Sequence, residues 1–212
     1  MADPMLADLG AVELARGFAR GDWTPDDAVR AALDRVDRCE PRLNAMFRVH
    51  HEAARAAARE ASARWRAGTP KSPVDGMPVT VKENIYSQGD PAPIGTAAGS
   101  LAPKPVDAPP VARLREAGCV LIGKTTMPDF GMLSSGLSSV HGTTRNPWRI
   151  DLNPAGSSSG AAAAAADRSG CPRFTAGSSV SSPASAGCRS IRRSWGARRA
   201  RSRGRSPMRR CS

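Results

Sequence analysis

Cys119-Val-Leu-Ile122 is an unbroken apolar run held between Gly118 and Gly123, and it constrains the fold more than any other stretch. A strand with one wet face alternates polar and apolar residues. A short, continuous apolar run fits a strand covered on both faces. A helical stretch precedes it, running from Pro110 through Val111-Ala-Arg-Leu-Arg-Glu-Ala117 and closed by Gly118. Helix, glycine and buried strand in succession predict an α/β sandwich, with helices packed on the sheet.

Residues 1–67 read as helical. Thr24 is a good N-cap, Pro25 suits the first helical position, and Asp26 and Asp27 favour the positive end of the helix dipole. Val29, Ala32, Leu33 and Val36 follow at helical spacing, and the Ala- and Arg-rich stretch His51–Ala67 ends at Gly68 and Pro70. Met77–Val81 is predicted as a short strand and 84–110, rich in Gly and Pro, as loop. Ala161–Ala166 is predicted to begin a helix whose N-terminal amides face the preceding serine turn.

The net charge of +12 suggests a nucleic-acid binder, but its distribution does not. Twelve of the 31 basic residues are arginines in 168–212, a segment with no lysine and no acid, so the first 167 residues carry as many acids as bases. The segment 168–212 has no apolar periodicity and only Phe174 and Trp195 as aromatics, which predicts a disordered tail and argues against nucleic acid as a partner. Cys39, Cys119, Cys171, Cys188 and Cys211 form no zinc-type pair, and their odd number without a secretory leader fits a reducing cytoplasm. No apolar run approaches the roughly 20 residues that span a bilayer, so no membrane is expected.

Two segments bear chemistry. Lys82 follows the Met77–Val81 strand; taken alone a lysine is most often a solvated surface charge, but buried at a core edge it loses protons more readily and serves as a base. Ser157, Ser158 and Ser159 stand between Gly156 and Gly160 ahead of the alanine helix. Glycines there admit close approach, hydroxyls relay protons and helix amides stabilise an oxyanion. By composition alone the same stretch reads as a Ser/Gly linker, but the preceding Gly142-Thr-Thr-Arg-Asn-Pro-Trp148 is ordered-loop chemistry. His50, His51 and His141 offer neither triad nor metal spacing, and His141 reads as a polar loop histidine. Gly118-Cys-Val-Leu-Ile-Gly-Lys-Thr125 has the outer spacing of a phosphate-binding loop but places an apolar strand where the loop belongs, which excludes that reading.

Asp75–Asn84, Gly95–Ser100, Ala117–Phe130 and Gly142–Gly160 stand in the order and spacing of the amidase signature family, and Ala11–Ala166 resembles the N-terminal half of such an enzyme. The resemblance implies a mixed β-sheet sandwiched by helices, here incomplete, over residues 1–167. It also implies hydrolysis of small carboxylic amides by a Ser–cis-Ser–Lys triad, with no metal or other cofactor. Carried over by position, Lys82 is the base, Ser157 the bridging serine of a cis peptide, and Ser158 a hydrogen-bonding support. Gly156 and Ser134 belong to the substrate-binding surroundings. Ser179 is the best counterpart of the nucleophile, although its neighbours lack the acid, second glycine and arginine of the family pattern. Ala155 also departs, standing where the family carries glycine. The alternatives are the glutaminase subunit of a tRNA-dependent amidotransferase, partnered by other subunits and tRNA, and a non-catalytic truncated relic. A homodimer is expected only if the full family fold forms.

Ser194–Ser212 adds an observation of another kind. Its codons can be chosen so that, read two bases later, they spell VGRAPGPITRSVADAALL, which resembles a later segment of the same family. A shifted reading frame also accounts for an arginine-rich, lysine-free composition without nucleic acid.

Overall fold

The computed structural model describes residues 4–166. A short 3-10 turn (Pro4–Asp8) leads into α1 (Ala11–Arg20) and α2 (Pro25–Leu43). The α2 cap is the one its sequence predicts: the Thr24 hydroxyl accepts the Asp27 amide at 3.2 Å and the Asp27 carboxylate accepts the Thr24 amide at 3.1 Å. Each group satisfies an amide that the helix itself leaves unpaired.

The chain then departs from the helical expectation for residues 1–67, because β1 (Met46–Val49) stands between α2 and α3 (His51–Arg66). Asn44 ends α2 in the left-handed region (φ 49°), and the Glu40 carboxylate accepts the Ala45 and Met46 amides at 3.0 and 2.9 Å. Four residues are too few for a period-2 pattern to stand out from the helices on either side.

β2 (Pro78–Lys82) and β3 (Val120–Thr125), separated by α4 (Pro109–Glu116), lie parallel. β1 joins the other side of β3 antiparallel, giving the order β1-β3-β2. Every residue of β3 is buried, as its apolar run predicts, and the strand continues through Gly123-Lys124-Thr125. That continuation places the would-be phosphate-loop lysine inside a sheet. Glycine is required at 123, since a Cβ there would lie 2.2 Å from the Arg48 carbonyl oxygen of β1.

Alternate residues of β3 enter different clusters, as strand geometry demands. Leu121 packs with Met77, Val79 and Val81, with Leu14 and Phe18 of α1, and with Val111 of α4. Val120 and Ile122 pack with Val29 and Leu33 of α2 and with Ala54 and Ala58 of α3. The result is a mixed sheet between helical layers, the α/β fold predicted. Beyond it a two-stranded ribbon, β4 (Leu137–Ser138) with β5 (Gly142–Thr143), precedes α5 (Ser159–Ala166). Among the described residues no helix is long and apolar enough to cross a membrane.

Candidate active site

β2 is anchored at its start so that its end is placed accurately. Asp75, three residues upstream, is fully buried and takes a two-pronged hydrogen bond from Arg64 of α3, at 2.7 and 2.8 Å. Its carbonyl oxygen accepts the Trp65 indole N–H at 2.9 Å. Burial pushes the Asp75 carboxyl pKa up, but the Arg64 fork and the Lys71 amide outweigh it and hold the group below the usual carboxylate range. Asp75, part of the segment carrying the family resemblance, therefore fastens α3 to the chain entering β2.

The serine turn is seated from the other side. Gly160 donates its amide to the Thr126 carbonyl at 3.1 Å, and a Cβ at 160 would lie 2.2 Å from the Ala45 carbonyl oxygen. Only glycine lets α5 press so closely on the chain beside β1 and just past β3. Ser158 caps the helix with its carbonyl, which accepts the Ala162 amide at 2.9 Å. Since Gly160 commits its N–H to Thr126, that member of the helix amides expected to face the serine turn is already engaged. Ser159 is fully buried, and its hydroxyl has no hydrogen-bond partner among the described residues.

Lys82 closes β2 and meets this turn. Its Nζ donates to the Ser157 Oγ at 3.0 Å, across a sequence separation of 75 residues. The Gly156–Ser157 peptide bond is cis, and Ala155 before it has φ 67°. Burial pushes the Lys82 ammonium below the ordinary lysine pKa, while the Glu83 carboxylate acts in the opposite direction. A half-buried amine joined to a hydroxyl can pass a proton through that hydroxyl.

Gly156 is hemmed in by the backbone of the 133–135 stretch: a Cβ there would lie 2.6 Å from the carbonyl oxygens of both Leu133 and Ser135. Ser134 is exposed between those two residues. Gly131 stands over the serine, its hypothetical Cβ 3.9 Å from the Ser157 Oγ. Lys82, Ser157, Ser158, Gly156 and the backbone bearing Ser134 thus converge. Ser179 and the segment 168–212 lie outside the described residues.

Sequence reasoning missed a buried polar layer beside this site. Glu83 is fully buried and accepts the amides of Ile94 and Gly95 at 2.7 and 2.8 Å. The His141 Nε2 lies 3.5 Å from its Oε2, and the His141 ring rests on Phe47 with centroids 4.7 Å apart. The expected polar loop histidine therefore has a side chain only 3 % exposed. Lys124 is also fully buried; its Nζ donates to the Pro91 carbonyl at 3.1 Å, beside Asp90, which pairs with His50 at 2.9 Å. These partners are distant in sequence, so no local pattern could have joined them. Among the described residues no group of three or more His, Cys, Asp or Glu side chains is placed to hold a metal ion.

Residues 27–186 match the Amidase family. The chain is 39 % identical over 185 residues to the A-type subunit of glutamyl-tRNA(Gln) amidotransferase from Myxococcus xanthus, covering 84 % of this chain and 37 % of that protein. It is 38 % identical over 194 residues to the corresponding protein of Geobacter metallireducens, which bears the same name, covering 90 % of this chain and 40 % of that one. Among solved structures it is similar to the native peptide amidase of Stenotrophomonas maltophilia, with TM-score 0.71 and 32 % identity over 77 % of this chain and 35 % of that one. The chain thus spans about two fifths or less of the length of these relatives. A match across most of its residues, in sequence and in fold, makes this chain a member of the amidase signature family.

Proposed function

We propose that this chain carries the proton-relay half of an amide-hydrolysing site, with Lys82 as the base and Ser157 as the bridging hydroxyl. The observation that carries this reading is the 3.0 Å hydrogen bond from Lys82 Nζ to Ser157 Oγ, made by a half-buried amine with a depressed pKa. In the mechanism a serine hydroxyl attacks the amide carbon. Ser157 takes that proton and hands its own to Lys82; the pair then returns a proton to the leaving amine, and water releases the acid from the acyl-serine. Ser179 is the proposed nucleophile, Ser158 supports the relay, and Gly156 and Ser134 border the bound amide. The proposal assigns the relay chemistry to residues 1–167 and, apart from Ser179, none to 168–212.

Relatives named as amidotransferase subunits favour a second reading of the same relay, in which glutamine is the amide and other subunits and tRNA are the partners. With so little of the relatives' length present, the purified 212-residue chain is expected to release only traces of ammonia from a simple aliphatic amide. Those traces should vanish in both Lys82→Ala and Ser157→Ala. Turnover indifferent to both substitutions would sink the relay, and robust turnover would sink the expectation of trace activity. Preference for glutamine over a simple amide would favour the amidotransferase reading.

A further inference from the structure

The residue after Lys82 sits at a junction that the relay does not explain. Ile94 and Gly95 are consecutive left-handed residues, with φ 58° and 69°. They form a turn, and successive backbone N–H groups in a turn make an anion-binding concavity. The occupant is the Glu83 carboxylate, with one oxygen on each amide. Glycine is needed at 95, since a Cβ there would lie 2.2 Å from the Pro128 carbonyl oxygen.

From this concavity two bonds run outward. The Ile94 carbonyl accepts the Phe130 amide at 2.8 Å, and the Gly95 carbonyl accepts the Ser138 hydroxyl at 2.5 Å. Both donors lie in the 128–138 segment, which sets Gly131 over the Ser157 hydroxyl and packs the Leu133 and Ser135 carbonyls around Gly156. On the other side, the Glu83 amide donates to the Thr125 carbonyl at 3.0 Å and so continues the sheet past Lys82. One buried carboxylate therefore joins the strand that supplies the amine to the loops that hold the hydroxyl.

We infer that Glu83 is a positioning residue for the Lys82–Ser157 pair, acting through the Ile94–Gly95 amides and the Phe130–Ser138 segment. The inference rests on the relay reading for its functional meaning, but the linkage itself is structural. The charged or titratable groups around Glu83 are Lys82 beside it, His141 at 3.5 Å, and Lys124, whose charge also feels Asp90. A carboxylate that only neighbours Lys82 would act through charge alone. A positioning residue keeps the amine docked on Ser157 and out of water.

The two roles move Lys82 in opposite directions, and the test uses that difference. Lys82 is acetylated with limiting acetic anhydride across a pH series, and its labelling midpoint is read by mass spectrometry in the wild type and in Glu83→Gln. Positioning predicts that the midpoint rises in the variant towards that of a free lysine, because the loosened amine regains water. A fall would mean that charge alone links the two residues, and an unchanged midpoint would mean no link; either overturns the inference. A wild-type Lys82 that titrates like a free lysine would instead count against the relay. The same samples report amide hydrogen exchange, where Glu83→Gln should release Ile94, Gly95 and Phe130 together while Val120–Thr125 stay protected. If the variant does not fold, the wild type still decides: those three amides must exchange at one common slow rate, and unrelated rates overturn the linkage.

Discussion

At the residue scale, side chains are set by partners far away in sequence, and Asp75 shows how directly this becomes stability. Its carboxyl, net lowered because the Arg64 fork outweighs burial, releases its proton more readily folded than unfolded. Its contribution is therefore complete above the unfolded value of about 3.9 and drains away as pH falls through the lower folded value. Asp90 behaves alike: burial raises it, but His50 and Ser87 bring it down further. Thermal melts from pH 6 downward should show a falling acid limb, and Asp75→Asn should be shallower there while costing about 3 kcal/mol near neutrality. Parallel acid limbs in the two proteins would count against this assignment. Asp75 was legible as part of a family segment, but its structural duty was not, because Arg64 reaches it from another element.

At the scale of elements, the helix and strand patterns were largely readable and the docking surfaces were not. The α2 cap, the end of α3 beside Gly68, the buried β3 strand and the alanine helix all fall where local chemistry puts them, because caps, breakers and apolar runs act over a few residues. β1 escaped, since four residues between two helices carry little pattern and the turn into them depends on the Glu40 carboxylate. The placement of α5 rests on one missing methyl. Gly160→Ala must push the helix off the Ala45 carbonyl and Thr126, and overpacking of this kind costs about 1–3 kcal/mol. The variant should melt lower, and its Lys82 labelling midpoint should rise as Ser157 is carried away with the helix. A lower melt with an unmoved midpoint would show that α5 packing and the relay are independent.

At the scale of the whole molecule, several large apolar side chains stand exposed among the described residues. Phe130, Met132, Leu137, Trp148, Ile150 and Leu152 are all between 46 and 83 % exposed. The sheet, in the order β1-β3-β2, offers one unpaired side on each outer strand among the described residues. Unpaired strands and apolar patches favour self-association. The purified chain should therefore form concentration-dependent assemblies in sizing chromatography, and a sharp monomer peak at tens of micromolar would contradict this. The segment 168–212 calls for a different measurement, resequencing of the gene from codon 155 past the stop. The shifted-frame proposal expects a single-base change to open a frame continuing with the family's nucleophile segment. An intact frame as written removes that proposal and favours the non-catalytic relic over an enzyme.

By itself the sequence determined the family, the α/β class, most elements and the two segments that converge, because period, caps, breakers and ordered motifs are local properties of a chain. The tertiary structure decided that Lys82 meets Ser157 at hydrogen-bonding distance, that Gly160 seats α5, and that Glu83, His141, Asp90 and Lys124 form a buried polar layer beside them. Those facts depend on which distant backbone amide or carbonyl fills the space beside a side chain, and only the packing of the completed fold fixes that.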